Sequence, residues 1–122
     1  MVNKKIIEFT SVIITSLNDS VFIENLLNDL LKQTINVNSY EVLVLEAGNF
    51  ENENEYKKKF LTKNIKFSFY KIKKLSRTAS LNFLIDKSTG DFVVRLDARS
   101  RIKKNYLNQL IQLFYSTSAA CV

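Results

Sequence analysis

Four short segments concentrate the side chains able to handle a charged, hydroxylated ligand. They are Thr15-Ser16-Leu17-Asn18, Glu46-Ala47-Gly48-Asn49, the stretch from Lys71 to Arg77, and Asp97-Ala98-Arg99-Ser100. Together they offer hydroxyls, two carboxylates and several cations, which suits a small anionic ligand carrying a polar ring and hydroxyl groups. The chemistry absent from the chain narrows the field further. With no His and one Cys, Ser-His-Asp and Cys-His catalysis, imidazole zinc sites and an internal disulfide are excluded. Cys121, with no His to activate it, reads as inert. Two glycines, Gly48 and Gly90, cannot write a GxGxxG or GxxxxGK phosphate loop, so a standard dinucleotide oxidoreductase is excluded.

Elements must bring these segments together, and the hydropathy pattern alternates regularly. Phe9 to Ile14 is a short β-branched apolar run, read as a buried strand. Asp19 or Ser20 can cap a following helix whose Phe22, Ile23, Leu26, Leu27, Leu30 and Leu31 share one face. Tyr40 to Leu45 reads as a second strand. Glu51 to Leu61, acidic first and lysine-rich last, suits a helix macrodipole. Ile65, Phe67 and Phe69 alternate with polar residues as in a strand. Arg77 to Lys87 carries Leu81, Leu84 and Ile85 at helical spacing, and Gly90 is expected to supply a left-handed stop. Phe92 to Leu96 reads as a fourth strand, and Leu107, Leu110, Ile111 and Phe114 as a fourth helix. Ala119 to Val122 resembles a fifth strand just starting, so the sheet reads as truncated there.

Four βα units in one 122-residue domain imply an α/β fold: an open, mostly parallel sheet with helices on both faces. In such a sheet ligands bind beyond the carboxyl ends of the strands, where all four segments fall. Charge is asymmetric. Residues 1–62 hold six Lys and nine Asp+Glu, a net of −3; the chain total of +6 leaves +9 for residues 63–122. That bias suits an anionic partner, and without a nucleic-acid motif a nucleotide is preferred to a nucleic acid. No stretch approaches the ~20 apolar residues that span a bilayer. With no signal-peptide pattern at Met1 to Lys5, the chain reads as cytoplasmic, or as lying at the cytoplasmic face of a membrane. A bare sheet edge makes self-association an expectation.

The same segments carry a family resemblance from about residue 10 to residue 115. Ser11-Val-Ile-Ile-Thr-Ser-Leu-Asn18 resembles the opening strand of glycosyltransferase family 2, which has the Rossmann-like GT-A fold. Leu30-Leu-Lys-Gln-Thr34 is similar to the end of its first helix. Glu41-Val-Leu-Val-Leu-Glu-Ala-Gly-Asn49 is similar to its second strand, Arg77-Thr-Ala-Ser-Leu-Asn82 to its basic helix start, and Ser88 to Arg99 to the strand leading into its Asp-x-Asp motif. The resemblance implies the donor-binding half of an enzyme of polysaccharide biosynthesis type, which moves a sugar from a nucleotide diphosphate to an unknown acceptor. It implies donor contacts at Thr15, Ser16, Glu46, Arg77, Asp97 and Arg99, with Asp97 the candidate ligand of a divalent Mg²⁺ or Mn²⁺ ion. The acceptor side and the catalytic base are implied to lie beyond this region, so catalytic residues stay unassigned and the chain alone is expected to turn over little.

Two positions depart from the family pattern. Ala47 replaces the second carboxylate after the second strand, and Arg99 replaces the second Asp of the metal motif. A guanidinium cannot ligate a divalent ion, but it binds phosphate oxygens in a bidentate way. Arg99 thus has three readings: a substitute for the metal's charge, a partner of Asp97 or Glu46, or part of a degenerate site. The alternative to an enzyme is a non-catalytic nucleotide-binding or partner-docking module.

Overall fold

The computed structural model describes residues 7–117. Strands β1 (Thr10–Ser16), β2 (Tyr40–Glu46), β3 (Lys66–Lys71) and β4 (Phe92–Asp97) alternate with helices α1 (Ser20–Leu30), α2 (Glu53–Thr62), α3 (Arg77–Lys87) and α4 (Tyr106–Thr117). A short 3-10 turn, Val37–Ser39, precedes β2. The strands form one sheet in the order β3-β2-β1-β4, and every pairing is parallel. Four βα units in an open parallel sheet are the architecture the sequence pattern implies. The strand expected at Ala119–Val122 lies outside the described residues.

Burial explains why β1 and β2 read as unbroken apolar runs. Val12, Ile14, Val42 and Val44 pack with Ile23, Leu26, Leu27 and Leu30 of α1, Tyr56 and Phe60 of α2, and Leu107 of α4. The opposite parity, Ile13, Leu43 and Leu45, packs under Leu84 of α3, with Leu81, Phe83 and Tyr70 half-buried beside it. Strands covered on both faces have no polar side to alternate with. Each fully buried Leu or Ile stabilises the fold by roughly 1.5–3 kcal/mol. The α3 face stops short of β4, where Val93 and Arg95 are exposed. The β3 edge carries exposed Lys66 and Lys71, charges that discourage edge pairing. Phe67, Phe69, Phe83, Phe92 and Phe114, which strand and helix periods would place in the core, are half-buried at its margin, with Phe67 stacked on Phe60 at 4.6 Å.

Three local expectations change. Gly90 has no positive φ, so it does not end α3 by a left-handed turn. A Cβ there would stand 2.7 Å from the Phe9 carbonyl and 2.8 Å from the Ser11 amide, and this close backbone approach is what requires glycine. Asp19 occupies the N-cap position of α1 without a capping side-chain hydrogen bond. Ile85, placed by spacing on the apolar face of α3, is 49% exposed because one turn of that helix covers the sheet.

Candidate functional site

Parallel register aligns the strand ends. Thr15 pairs with Asp97 across β1 and β4, and Ser16 with Glu46 across β1 and β2. The N-terminus of α3 arrives at the same edge, capped by the Ser76 hydroxyl, which accepts the Ala79 amide at 3.1 Å. An open cleft of about 280 Å³ forms there. Thr15, Ser16, Asp19, Arg77, Ser80 and Asp97 supply its polar lining, and Leu17, Ala47 and Leu75 its apolar lining. Thr15, Ser16, Arg77 and Asp97, drawn from three separate parts of the sequence, thus share one cavity.

Glu46 stands beneath the cleft, fully buried. Its Oε1 accepts the Ser16 hydroxyl at 2.8 Å, and its Oε2 accepts the amides of Asn18 at 3.0 Å and Gly48 at 2.7 Å. A buried carboxylate needs such donors. Here they knit the loop after β1 to the loop after β2. Asn18 holds a positive φ of 53° and its Oδ1 accepts the Asn49 amide. Gly48 leaves room for it, since a Cβ there would fall 1.8 Å from that oxygen. The Glu46 carboxylate, implied by the resemblance to contact the donor, therefore organises the loops in this structure, and the methyl of Ala47 lines the cleft.

Arg99 lies outside the cleft lining. Its Nε donates to Asp19 Oδ1 at 3.1 Å and its guanidinium lies 4.9 Å from the centre of the Phe22 ring. Of the readings left open for Arg99, pairing is observed, but with Asp19 rather than with the Asp97 or Glu46 carboxylate. Its backbone amide does donate to Asp97 Oδ1 at 2.9 Å. Asp97 Oδ2 faces Arg77 at 3.6 Å. Both arginine–aspartate pairs are solvent-exposed on the arginine side, so each contributes about 0–1 kcal/mol to stability. Nearly three helical turns farther along, near the other end of α1, Asp29 anchors the same loop. Arg101 donates to it twice, at 2.8 and 3.1 Å, and the Ile102 amide once at 3.1 Å. Burial alone would raise the Asp29 pKa, but Arg101 and the Ile102 amide outweigh it and hold the carboxyl below its ordinary value.

Asp19 and Ser80 also line the cleft but are not among the candidates that the sequence offers. Asp19 was legible one position past the Thr15–Asn18 segment but had an alternative use as a helix cap. Ser80 lies one turn after Arg77, so the helix period would have pointed to it.

The family model for glycosyl transferase family 2 matches residues 11–122. Among solved structures, S. aureus TarS is similar with 24% identity and a TM-score of 0.73, over 90% of this chain and 20% of that one. S. aureus TarS 1-349 in complex with UDP-GlcNAc is similar at 25% identity and a TM-score of 0.72, over 88% of this chain and 31% of that one. Mannosyltransferase PcManGT from Pyrobaculum calidifontis, in complex with GDP-Man and Mn²⁺, shares the fold at 18% identity and a TM-score of 0.66, over 78% of this chain and 28% of its own. The chain thus spans less than a third of the length of these solved chains. Comparison with curated proteins finds no match.

The donor set does not fit a divalent ion well. Each of the two cleft carboxylates, Asp19 and Asp97, is paired with a guanidinium, and Arg99 brings no oxygen donor on its side chain. Among the described residues no group of three or more His, Cys, Asp or Glu is gathered as a metal would require. No helix among them is long and apolar enough to cross a membrane. With a family match over nearly its full length and the parallel sheet that the match entails, the chain belongs to glycosyl transferase family 2.

Proposed function

We propose that this chain is the donor-binding part of a glycosyltransferase, and that its cleft takes a nucleotide-diphosphate sugar. The observation that carries the reading is the convergence of Thr15, Ser16, Arg77 and Asp97 on one cavity at the carboxyl edge of the sheet. Hydroxyls there suit ribose and sugar oxygens, and the Arg77 guanidinium together with the N-terminus of α3 suits a diphosphate. UDP and UDP-GlcNAc in the TarS complexes and GDP-Man in the PcManGT complex belong to the same chemical class.

The reaction is an inverting displacement. An acceptor hydroxyl oxygen forms a bond to the anomeric carbon, the bond from that carbon to the diphosphate oxygen breaks, and a general base takes the hydroxyl proton. Positive charge stabilises the departing diphosphate. No residue of the cleft is assigned as the base, and the 122-residue chain by itself binds donor weakly and transfers little.

Titration calorimetry of the full chain with UDP, GDP and their sugar derivatives tests the reading. Binding by at least one of them, weakened by Arg77→Ala, is the expected result. A silent panel overturns it in favour of a second reading, a partner-docking module. Ala47 and the pairing of Arg99 with Asp19 give that second reading its basis.

A further inference from the structure

We infer that this cleft neutralises a diphosphate with two arginines, Arg77 and Arg99, parked on Asp97 and Asp19, in place of a divalent cation. The inference rests on the donor-site reading and deepens it.

The two arginines are alike in partnership: each pairs with a carboxylate that lines the cleft. Arg77 opens α3 and lines the cleft itself, whereas Arg99, two residues past the end of β4, lies outside the lining and reaches it through Asp19. Their side chains are 69% and 66% exposed, so neither is locked by packing. Arg77 meets Asp97 at 3.6 Å, beyond a well-formed hydrogen bond, and Arg99 reaches Asp19 through Nε. Exposed pairs of this kind are weakly held. A diphosphate offers each guanidinium two or more anionic oxygens in the fork geometry it fits best, so the exchange of partners is favourable. The backbone of residue 99 is already fixed by its amide on Asp97, which leaves the move to the side-chain torsions. Phe22, 45% exposed at the start of α1, is the platform on which that guanidinium rests.

The same geometry argues against an ion. A divalent cation on Asp97 would sit beside the Arg77 guanidinium and meet like-charge repulsion. Asp19, the second carboxylate it would need, already holds Arg99.

The test is titration calorimetry of the full chain with UDP and GDP, each in EDTA and in Mn²⁺. The parent is expected to bind with affinities that agree within about threefold between the two conditions. Arg99→Ala is expected to weaken binding about tenfold in EDTA, and Arg99→Asp to bind only when Mn²⁺ is present. Arg95→Ala, which removes an exposed arginine outside the cleft lining, serves as the charge-matched control and leaves affinity unchanged. Thermal melts confirm that each surface variant is folded. A parent that Mn²⁺ tightens tenfold or more overturns the inference and leaves the donor-site reading standing; so does an Arg99→Ala variant that binds like the parent. A parent that binds neither nucleotide in either condition overturns the donor-site reading, and the inference with it.

Discussion

Strand β2 carries two buried glutamates, one at each end of the sheet, and each faces a serine directly across on β1. Ser11 pairs with Glu41 and Ser16 with Glu46, with hydroxyl-to-carboxylate distances of 2.7 and 2.8 Å. The surroundings differ. At the amino end Glu41 Oε2 also accepts the amide and hydroxyl of Thr89, tying the α3–β4 connection to the sheet, and the Ser11 oxygen accepts the Gly90 amide. Its Oε1 has no hydrogen-bond donor, only Lys66 at 3.5 Å. At the carboxyl end both oxygens of Glu46 are engaged, and the groups they hold are loops at the rim of the cleft. One cross-strand device thus serves two purposes: closing a chain crossover at one end and shaping the cleft at the other.

The largest expected effect breaks the amino end alone. Glu41→Ala strands the Ser11 hydroxyl and the Thr89 donors in a buried position and should cost about 3 kcal/mol in urea unfolding. The folded fraction should still bind UDP as the parent does. If affinity falls at equal folded fraction, the two ends are coupled and the division of roles fails.

The glycines extend the same contrast. A Cβ at Gly90 meets backbone, at 2.7 and 2.8 Å, whereas a Cβ at Gly48 meets first the amide end of Asn18. Backbone cannot move without shifting β1, while a side chain can rotate. Gly90→Ala should therefore cost about 2 kcal/mol and Gly48→Ala about 1 kcal/mol. Gly48→Ala should weaken UDP binding in addition, because Asn18 loses its contact with the Asn49 amide. Equal stability losses with unchanged binding would contradict the contrast.

Much of this was legible from pattern. Apolar runs and helical spacing placed the four strands and four helices within about three residues, most clearly at β1 and β2, where burial on both faces leaves an unbroken hydropathy trace. The order of βα units then placed Thr15, Ser16, Arg77 and Asp97 at one edge of the sheet. Partner choice among charged side chains was not legible. Asp19 could cap a helix or hold an arginine, and Arg99 could meet any of several carboxylates, since these options differ by the small energies of exposed pairs. The role of Gly90 was missed for a related reason: a glycine looks the same in sequence whether it supplies a positive φ or a close approach.

A smaller effect isolates the carboxyl end. Glu46→Ala should weaken UDP affinity about tenfold, about 1.4 kcal/mol, by releasing the Asn18 and Gly48 amides that shape the cleft wall. Glu46→Gln should recover most of that loss. Its amide oxygen can accept the two backbone amides, and the Ser16 hydroxyl can turn to accept from the new NH₂ group. Such rescue marks Glu46 as a positioning residue whose charge does not touch the nucleotide. If Gln is as damaging as Ala, the carboxylate charge itself is required and Glu46 belongs among the ligand contacts.

The smallest expected effect is in the acid limb of stability, and it belongs to the amino end. Burial alone would raise the Glu41 pKa, but hydrogen bonds from Ser11 and Thr89 and the charge of Lys66 outweigh it and hold the carboxyl below its ordinary value of 4.5. A carboxyl depressed in the folded state contributes its full stabilisation above the unfolded value and loses it as pH falls through the folded value. The parent should thus keep a level stability near neutrality and lose it progressively below about pH 4.5. Asp29, also held below its ordinary value once Arg101 and the Ile102 amide outweigh burial, adds to the same limb. Glu41→Gln keeps an acceptor for Ser11 and Thr89 but binds no proton there. Its stability at neutral pH should be lower than the parent's, and its decline through the acid range shallower, as read from urea midpoints at a series of pH values. Parallel curves for parent and variant would mean that Glu41 titrates alike in the folded and unfolded chains. The hydrogen bonds from Ser11 and Thr89 would then give the charged carboxylate no preference over the neutral acid, and the amino-end cluster would be a packing feature rather than an electrostatic one.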